Sequence, residues 1–363
     1  MTEPVLDPPY EIVHFWCGDK DQTELSVTCY DRRFDILALA ANMEECPAVQ
    51  QEFLRLVADL LSMDDDDFEF IPGQPDPMEE MCYWMAKACF AQLRAFIATH
   101  RPEPRMISLE EYYNPVTIPL TLQAVAGVGL TAVQSTRKPE DLTPRVRLSY
   151  PVANVGVSLF QLSGVKLFWD AENERPVRPP SRVLVDGEEG MEYFFKPTYH
   201  GSSKETEREI DLLLQLQQLQ QSPHTIRVPK LHGFVSPRKS RNPTEISGML
   251  LTYIKSCRSL AFKDVVRNAP LSLREKWIQQ LQEMINEFHK AGIVWGDAKP
   301  ANILVDMEDN LWIIDFGGSY TPGWVDGELV ETVQGDLQGL SRIIDFISRL
   351  GAKTSGQSDH HTK

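Results

Sequence analysis

The sequence predicts an α+β fold in two parts: a mainly helical N-terminal region, residues 1–145, and a region of strands and helices, residues 146–350. Apolar residues recur at helical spacing over residues 48–62 and 78–98. After about residue 150 the chain changes to short runs rich in Val, Leu and Phe, which are typical of strands. A length of 363 residues also exceeds that of an average domain and favours two parts.

The chain is acidic, with 36 Lys and Arg against 52 Asp and Glu and a formal net charge of −16. Such a charge disfavours binding to nucleic acid and to anionic lipid. No apolar stretch reaches the ~20 residues of a spanning helix, and the N-terminus lacks the features of a secretory signal. Six scattered cysteines without a C-x-x-C pair are typical of reduced thiols. We therefore expect a cytoplasmic or nuclear protein with no nucleic-acid or membrane partner.

The second region is predicted to mix strands with helices. Its strands are expected at residues 152–168, 181–186, 193–196, 249–254, 302–305 and 311–314, and its helices after Ser202, at 273–290 and at 333–350. Ser202 with Glu205 and Ser272 with Glu275 fit capping boxes, and Gly292 fits a helix end. The last two strands are expected to form a hairpin across an acidic turn. The polar tail, residues 351–363, is expected to be disordered.

Four polar side chains around the predicted hairpin form the set that phosphoryl transfer requires. Transfer from ATP needs a carboxylate that accepts or orients the proton of a hydroxyl acceptor and a lysine that neutralises the moving group. Asp297 and Lys299 are predicted to fill these catalytic roles. Mg²⁺ prefers oxygen ligands, which a carboxylate and an amide provide. Asn302 and Asp315 are predicted to bind it, because the hairpin returns Asp315 beside the loop.

The segments Trp295-Gly-Asp-Ala-Lys-Pro-Ala-Asn302 and Asp315-Phe-Gly317 resemble the catalytic loop H-R-D-L-x-x-x-N and the D-F-G of the protein-kinase superfamily. They are most similar to a group of short fungal kinase-like proteins that carry W-G-D-x-K and I-D-F-G-G. The resemblance covers roughly residues 150–350. It implies a two-lobed protein-kinase-like fold, with an N-lobe at about 150–250 and a shortened C-lobe at about 255–350, that binds ATP and Mg²⁺ between the lobes.

The resemblance also implies a nucleotide site upstream of the two motifs. Lys196, on a predicted strand, matches the lysine that pairs with the phosphates of ATP. Glu209, on the next helix, matches the ion-pair partner of that lysine, and Glu205 and Glu207 are alternatives for this role. Together these residues are expected to bind the nucleotide.

Two further matches concern the hinge between the lobes and the support of the catalytic loop. Thr252 and Ile254 fall in the hinge, where backbone groups are expected to meet the adenine of ATP. Asp336, on the last predicted helix, matches the aspartate that braces the catalytic loop.

The sequence departs from the kinase pattern in three places. No G-x-G-x-x-G precedes the lysine strand, since Gly187 and Gly190 fall in the turn just before it. Gly296 replaces the arginine that receives an activation-loop phosphate, so phospho-activation of that kind is not expected. The interval from Gly317 to Asp336 is short and lacks A-P-E, which is why the C-lobe is expected to be shortened.

These observations predict an ATP-dependent, protein-kinase-like phosphotransferase that moves the γ-phosphoryl group to a hydroxyl acceptor, and they leave that acceptor open. A protein Ser or Thr hydroxyl fits the catalytic loop, whereas a small molecule fits the short segment after Gly317. A pseudokinase that acts as a binding module is a third alternative. The intact Asp297, Asn302 and Asp315 disfavour it, because a carboxylate buried without a cation is costly.

Overall fold

The structure, a computed structural model, describes residues 6–18, 20–64, 76–100, 105–169, 182–188, 190–219, 226–237, 243–255, 258–318 and 321–352. The chain divides into two compact units. The first comprises residues 1–143 and 166–180, and the second comprises residues 144–165 and 181–363. The predicted disordered tail lies outside the described residues from position 353 onward, whereas residues 351 and 352 end the last helix.

The first unit is built around a sheet, so the prediction of a mainly helical N-terminal region is wrong. Its elements up to residue 134 are β1 Glu11–Cys17, β2 Gln22–Cys29, β3 Arg32–Leu39, α1 Pro47–Leu61, α2 Pro77–Lys87, α3 Phe90–Thr99, β4 Arg105–Ser108, α4 Leu109–Tyr113, β5 Val116–Val125 and β6 Gly129–Gln134. Five of the strands form a sheet in the order β1-β2-β3-β5-β6. In it β3 and β5 run parallel, and the other neighbours run antiparallel.

Buried charges obscure the strand pattern in this part of the sequence. Arg33 and Asp35 lie buried in β3 and pair at 2.9 Å, and Ser26 of β2 donates a hydrogen bond to the same carboxylate at 2.7 Å. A buried polar face breaks the apolar–polar alternation by which half-buried strands are recognised. Of the two predicted helices, the one at 48–62 is present as α1, and the one at 78–98 is divided into α2 and α3.

The second unit carries all of the predicted site residues. After residue 143 the elements are β7 Val146–Arg147, β8 Ser158–Gln161, β9 Val165–Trp169, β10 Arg182–Val185, β11 Glu192–Pro197, α5 Ser203–Leu219, β12 Leu231–Ser236, β13 Glu245–Ile246, β14 Gly248–Thr252, β15 Arg258–Ser259, α6 Lys263–Asn268, α7 Leu271–Lys290, β16 Ile303–Val305, β17 Leu311–Ile313 and α8 Val333–Ala352. From Lys166 onward β9 belongs to the first unit, where it pairs antiparallel with β4.

The main sheet of the second unit places the lysine strand next to the predicted hinge. Its strands follow the order β10-β11-β14-β12-β8, and only the β12–β8 pair among them is parallel. β11 contains Lys196, and its neighbour β14 ends at Thr252. The predicted hairpin is present as β16 and β17, in which Ile303 lies opposite Ile313. It brings the chain from Asn302 back to Asp315.

Apolar side chains of α7, α8 and the hairpin form the core of this unit. Trp277, Phe288, Trp295, Phe316 and Ile343 are among its fully buried members. Trp295 and Phe316 lie before and after the hairpin, so their burial fixes the backbone at both ends of the predicted catalytic segment. No helix within the described ranges has the length and apolar character that crossing a membrane requires.

Two helix starts differ from the predicted capping boxes. α7 begins at Leu271 directly after Pro270, so Ser272 lies inside the first turn. Proline suits that place because the first N–H groups of a helix have no intrahelical partner to lose. The hydroxyl of Ser202 donates to the carbonyl of Tyr199 at 2.6 Å instead of accepting from the helix. The end of α7 is as predicted, with Gly292 at φ +74°.

Candidate active site

An apolar cavity of about 520 Å³ opens in the second unit between β11, β14 and the hairpin. Phe194, Leu251, Ile254, Leu304 and Ile314 supply apolar wall, and Lys196, Glu209 and Asp315 supply charge. Apolar walls beside a few convergent charged groups are typical of small-molecule sites. The composition suits a ligand that combines an uncharged ring with an anionic part.

The charged groups of the cavity form a chain of ion pairs. Nζ of Lys196 lies 2.7 and 2.6 Å from the two carboxylate oxygens of Glu209 and 2.9 Å from Oδ1 of Asp315. Burial alone would lower the pKa of Lys196, but the two carboxylates outweigh it and raise that pKa, so the ammonium stays charged. Glu209 is buried, whereas Glu205 is exposed and Glu207 binds Ser149. The structure therefore brings Glu209, and not its two alternatives, to the lysine.

Asp315 has a strained backbone and an accessible side chain. It follows β17 at φ +64°, a conformation that costs free energy for any residue other than glycine and that clusters at functional sites. Its side chain is 42% exposed, although the neighbouring Phe316 is fully buried. The carboxylate is thus held at the cavity, where it can contact a ligand.

The predicted catalytic loop is closed by contacts among its own side chains. Nδ2 of Asn302 donates to the carbonyl and to the carboxylate of Asp297, at 3.1 and 3.0 Å. Nζ of Lys299 lies 2.6 Å from the same carboxylate. The short turn Pro300–Asn302 makes this possible, because it folds the chain back within three residues. Asp297 is therefore a buried carboxylate with a cation and an amide beside it.

A backbone hydrogen bond connects this loop to Asp315. The N–H of Ile314 donates to the carbonyl of Asn302 at 3.0 Å, and Asp315 is the next residue. The amide nitrogen of Asn302 is engaged by Asp297, so its amide oxygen is the atom that a metal would use. In the described residues no group of three or more His, Cys, Asp and Glu side chains is placed to hold a metal ion. An amide and a carboxylate joined by this backbone contact are instead the kinds of oxygen ligand that Mg²⁺ takes from proteins.

Thr321 contacts both predicted catalytic residues, and sequence reasoning missed this. Its hydroxyl donates to Oδ1 of Asp297 at 3.2 Å and accepts from Nζ of Lys299 at 2.8 Å. Thr321 is 24 positions away from Asp297 in the chain, and no local pattern joins the two.

Asp336 supports the loop from α8, as the resemblance implied. Its two carboxylate oxygens accept the backbone N–H groups of Trp295 and Gly296, each at 2.8 Å. Nε2 of His289, at the end of α7, lies 3.0 Å from the same carboxylate. The indole N–H of Trp295 donates to the carbonyl of Ile314 at 3.1 Å. These contacts join α7, α8, the loop and the hairpin in one buried network.

The two predicted hinge residues both line the cavity, but only one lies beyond the strand. The backbone N–H of Thr252 donates to Lys230 at 3.0 Å, and its hydroxyl accepts from the N–H of the same residue at 3.0 Å. The N–H of Thr252 is therefore engaged within the sheet. Ile254 follows the end of β14 and is buried.

Comparison with known proteins gives short local similarity to protein kinases. No family model matches the chain. It is 41% identical over 63 residues to CBL-interacting serine/threonine-protein kinase 8 of Arabidopsis thaliana, 43% over 47 residues to serine/threonine-protein kinase PKH3 of Eremothecium gossypii, and 34% over 76 residues to CBL-interacting serine/threonine-protein kinase 7 of Arabidopsis thaliana. The matches cover 17%, 13% and 20% of this chain and 14%, 6% and 18% of those proteins. They support a protein-kinase-like relationship and no finer grouping.

Proposed function

We propose that the second unit is an ATP-dependent phosphotransferase of the protein-kinase-like type. The observation that carries this proposal is the chain of ion pairs Glu209–Lys196–Asp315 at the edge of an apolar cavity. Three elements contribute one residue each, and a buried carboxylate and ammonium are stable only when they are paired. The short similarities to serine/threonine-protein kinases point to the same chemistry.

In this proposal the unit has two lobes with the nucleotide between them. The sheet and α5 form the N-lobe at about 150–250, and α6 to α8 with the hairpin form a shortened C-lobe at about 255–350. The adenine of ATP lies against the apolar walls near Thr252 and Ile254, and Lys196 holds phosphate oxygens. Asn302 and Asp315 supply the protein ligands of Mg²⁺. ATP supplies the transferable phosphoryl group, and Mg²⁺ reduces the negative charge around it.

The residues of the chain then have separate tasks. Asp297 accepts or orients the proton of the acceptor hydroxyl, and its burial beside Lys299 keeps it fixed for that task. Lys299 neutralises charge that develops on the transferred group. Asn302 fixes the rotamer of Asp297 by donating to it. Together these contacts hold Asp297 in one position for the acceptor.

A protein Ser or Thr hydroxyl is the acceptor that we favour, and a small molecule is the alternative. The hydrogen bond from the hydroxyl of Thr321 to Asp297 supports this choice, because it joins a threonine hydroxyl to the proposed base. The segment between Thr321 and α8 favours the alternative. It contains one short helical turn, Gly327–Leu329, and little surface for an extended peptide.

Labelled ATP and two aspartate variants test the proposal. With Mg²⁺, the wild-type protein should transfer label from ATP to an acceptor in a cell extract. Asp297→Asn should abolish transfer but retain the rise in melting temperature that Mg²⁺ and ATP cause, because Asp297 serves the acceptor and not the metal. Asp315→Asn should lose that rise. Asp309→Asn, an exposed aspartate in the turn of the same hairpin, is the matched control and should behave as wild type.

The distribution of label identifies the acceptor class. Label confined to protein bands and lost in Asp297→Asn supports a protein acceptor, whereas label in the small-molecule fraction supports the alternative. A folded wild-type protein that shows neither transfer nor a thermal shift at millimolar ATP with Mg²⁺ would contradict the phosphotransferase proposal and favour a binding module.

A further inference from the structure

The space beside Gly296 is filled by a cation from another element. Gly296 has φ +90°, and a β-carbon at this position would lie 2.7 Å from Nη2 of Arg208. Arg208 belongs to α5, far from the loop in sequence. Its guanidinium lies where a side chain of residue 296 would begin. The guanidinium of Arg208 therefore lies next to Gly296, at a position of the predicted catalytic loop whose own residue carries no charge.

Arg208 connects α5 to the segments on both sides of the hairpin. It donates to the carbonyls of Val294 at 2.9 Å, of Trp295 at 3.3 Å and of Phe316. The guanidinium fork can reach several acceptors at once, which the single ammonium of lysine does not do in a fixed geometry. The adjacent Glu209 pairs with the lysine of β11. Consecutive residues thus attach α5 to the sheet and to the catalytic loop.

Glu331 provides an opposite charge on the segment that precedes α8. Its Oε2 lies 4.0 Å from Nε of Arg208. A β-carbon on Gly318 would overlap the Glu331 carboxylate, so glycine at that position leaves room for it. An anion held near a cation at this place is the arrangement that a phosphorylated hydroxyl would create. A glutamate provides an anion here without phosphorylation.

We propose that Arg208 is a positioning residue for phosphotransfer and that Glu331 is its permanent anionic partner. Together they hold α5 on the catalytic loop, which keeps Glu209 in place for Lys196 without phosphorylation. The catalytic consequence rests on the proposed function, whereas the attachment of α5 does not. If α5 is released, the competent fraction falls, and both turnover and apparent ATP affinity fall with it.

Hydrogen exchange tests the attachment without any turnover. Arg208→Lys retains the charge but loses the fork, and we expect the amides of α5 to exchange at least tenfold faster than in wild type. Lys204→Arg, an exposed change on the same helix, is the control and should leave that exchange unchanged. Equal exchange in Arg208→Lys and the control would overturn the attachment.

A double-variant experiment tests the positioning role. Arg208→Ala should lower kcat/KM for ATP at least tenfold. In a Glu209→Gln background the same change should add less than a twofold loss, because the ion pair through which Arg208 acts is already broken. Losses that multiply in full would mean that Arg208 acts only through general stability, and would overturn the role. Millimolar guanidinium should partly restore the turnover of Arg208→Ala and leave that of Glu209→Gln unchanged.

Glu331 and the wild-type control complete the design. Glu331→Gln should lower turnover two- to fivefold, whereas the exposed Glu328→Gln should not, and equal behaviour of the two would overturn the role of Glu331.

Wild-type protein without turnover, in which Arg208→Lys still accelerates exchange in α5, would overturn the phosphotransfer role and support the attachment. Wild-type turnover, with neither exchange nor kcat changed in Arg208→Lys, would overturn both the attachment and the positioning role and leave the proposed function standing.

Discussion

Replacing Asp336 by alanine tests the buried network that supports the loop. Asp336 is 1% exposed and accepts two backbone N–H groups at 2.8 Å each. A hydrogen bond to a charged group contributes about 1.5–3 kcal/mol, and a buried N–H left without a partner costs about 1–3 kcal/mol. Asp336→Ala removes the acceptor for both N–H groups and for His289, so we expect a loss of about 3–5 kcal/mol in the free energy of unfolding.

The assay is urea unfolding at pH 7 followed by tryptophan fluorescence. Trp295 carries one of the two N–H groups, so its environment reports on the network directly. Asp336→Asn retains one acceptor oxygen and should lose about half as much. Asp345→Asn is the matched control: Asp345 lies on the same helix with its side chain 60% exposed, and exposed substitutions of this kind change stability by about 0.5 kcal/mol or less.

Amide exchange adds a local readout. The N–H groups of Trp295 and Gly296 should exchange faster in Asp336→Ala, since their acceptor is gone. A loss of stability below about 1 kcal/mol, together with unchanged exchange over residues 294–297, would refute the reasoning. It would mean that water or another group replaces the carboxylate without cost.

The hairpin, the ion pair of Lys196 with Glu209 and the segment between Gly318 and α8 each allow a separate test. Burial raises the pKa of Asp306, but hydrogen bonds from the indole of Trp312 and from two N–H groups of the turn outweigh burial and lower that pKa below 3.8. The stability that these hydrogen bonds add is therefore complete above pH 3.8 and is lost as the pH falls further. Asp306→Ala should therefore cost about 1–2 kcal/mol in urea unfolding at pH 7, and the difference from wild type should shrink at pH 3. Glu209→Gln should lower phosphotransfer at least tenfold, while the exposed Glu205→Gln retains it in the same assay. Phosphatase treatment of purified protein should leave its activity within twofold of the untreated sample. A larger loss that maps to Ser319, Tyr320, Thr321 or Thr332 would contradict this.

The parts of the site that are contiguous in sequence could be predicted, because short-range spacing fixes them. Asp297, Lys299 and Asn302 lie in six consecutive residues, and the hairpin that returns Asp315 follows from two short strands and an acidic turn. Glu209 could be named only with two alternatives. Helical spacing alone did not decide which carboxylate faces β11, whereas packing of α5 does.

Contacts made by tertiary placement could not be predicted. Nothing in the sequence around Thr321 or Arg208 indicates that either side chain reaches the predicted catalytic loop, since each is brought there by a different element. The sheet of the first unit could not be predicted from the sequence for a related reason. Its buried pair of Arg33 and Asp35 resembles a solvated segment until the partner of each charge is known.

Gly296 illustrates how the loss of a residue from a motif differs from the loss of its charge. In the sequence, Gly296 occupies the position at which the kinase pattern has an arginine before the catalytic aspartate. In space a guanidinium is still present there, because Arg208 donates to the carbonyls of Val294 and Trp295, the two residues before Gly296. Coulomb interactions depend on where a charge lies and on the local dielectric, and not on the element that supplies it. Arg208 can occupy this place only because residue 296 is glycine, since any larger side chain there would displace the guanidinium.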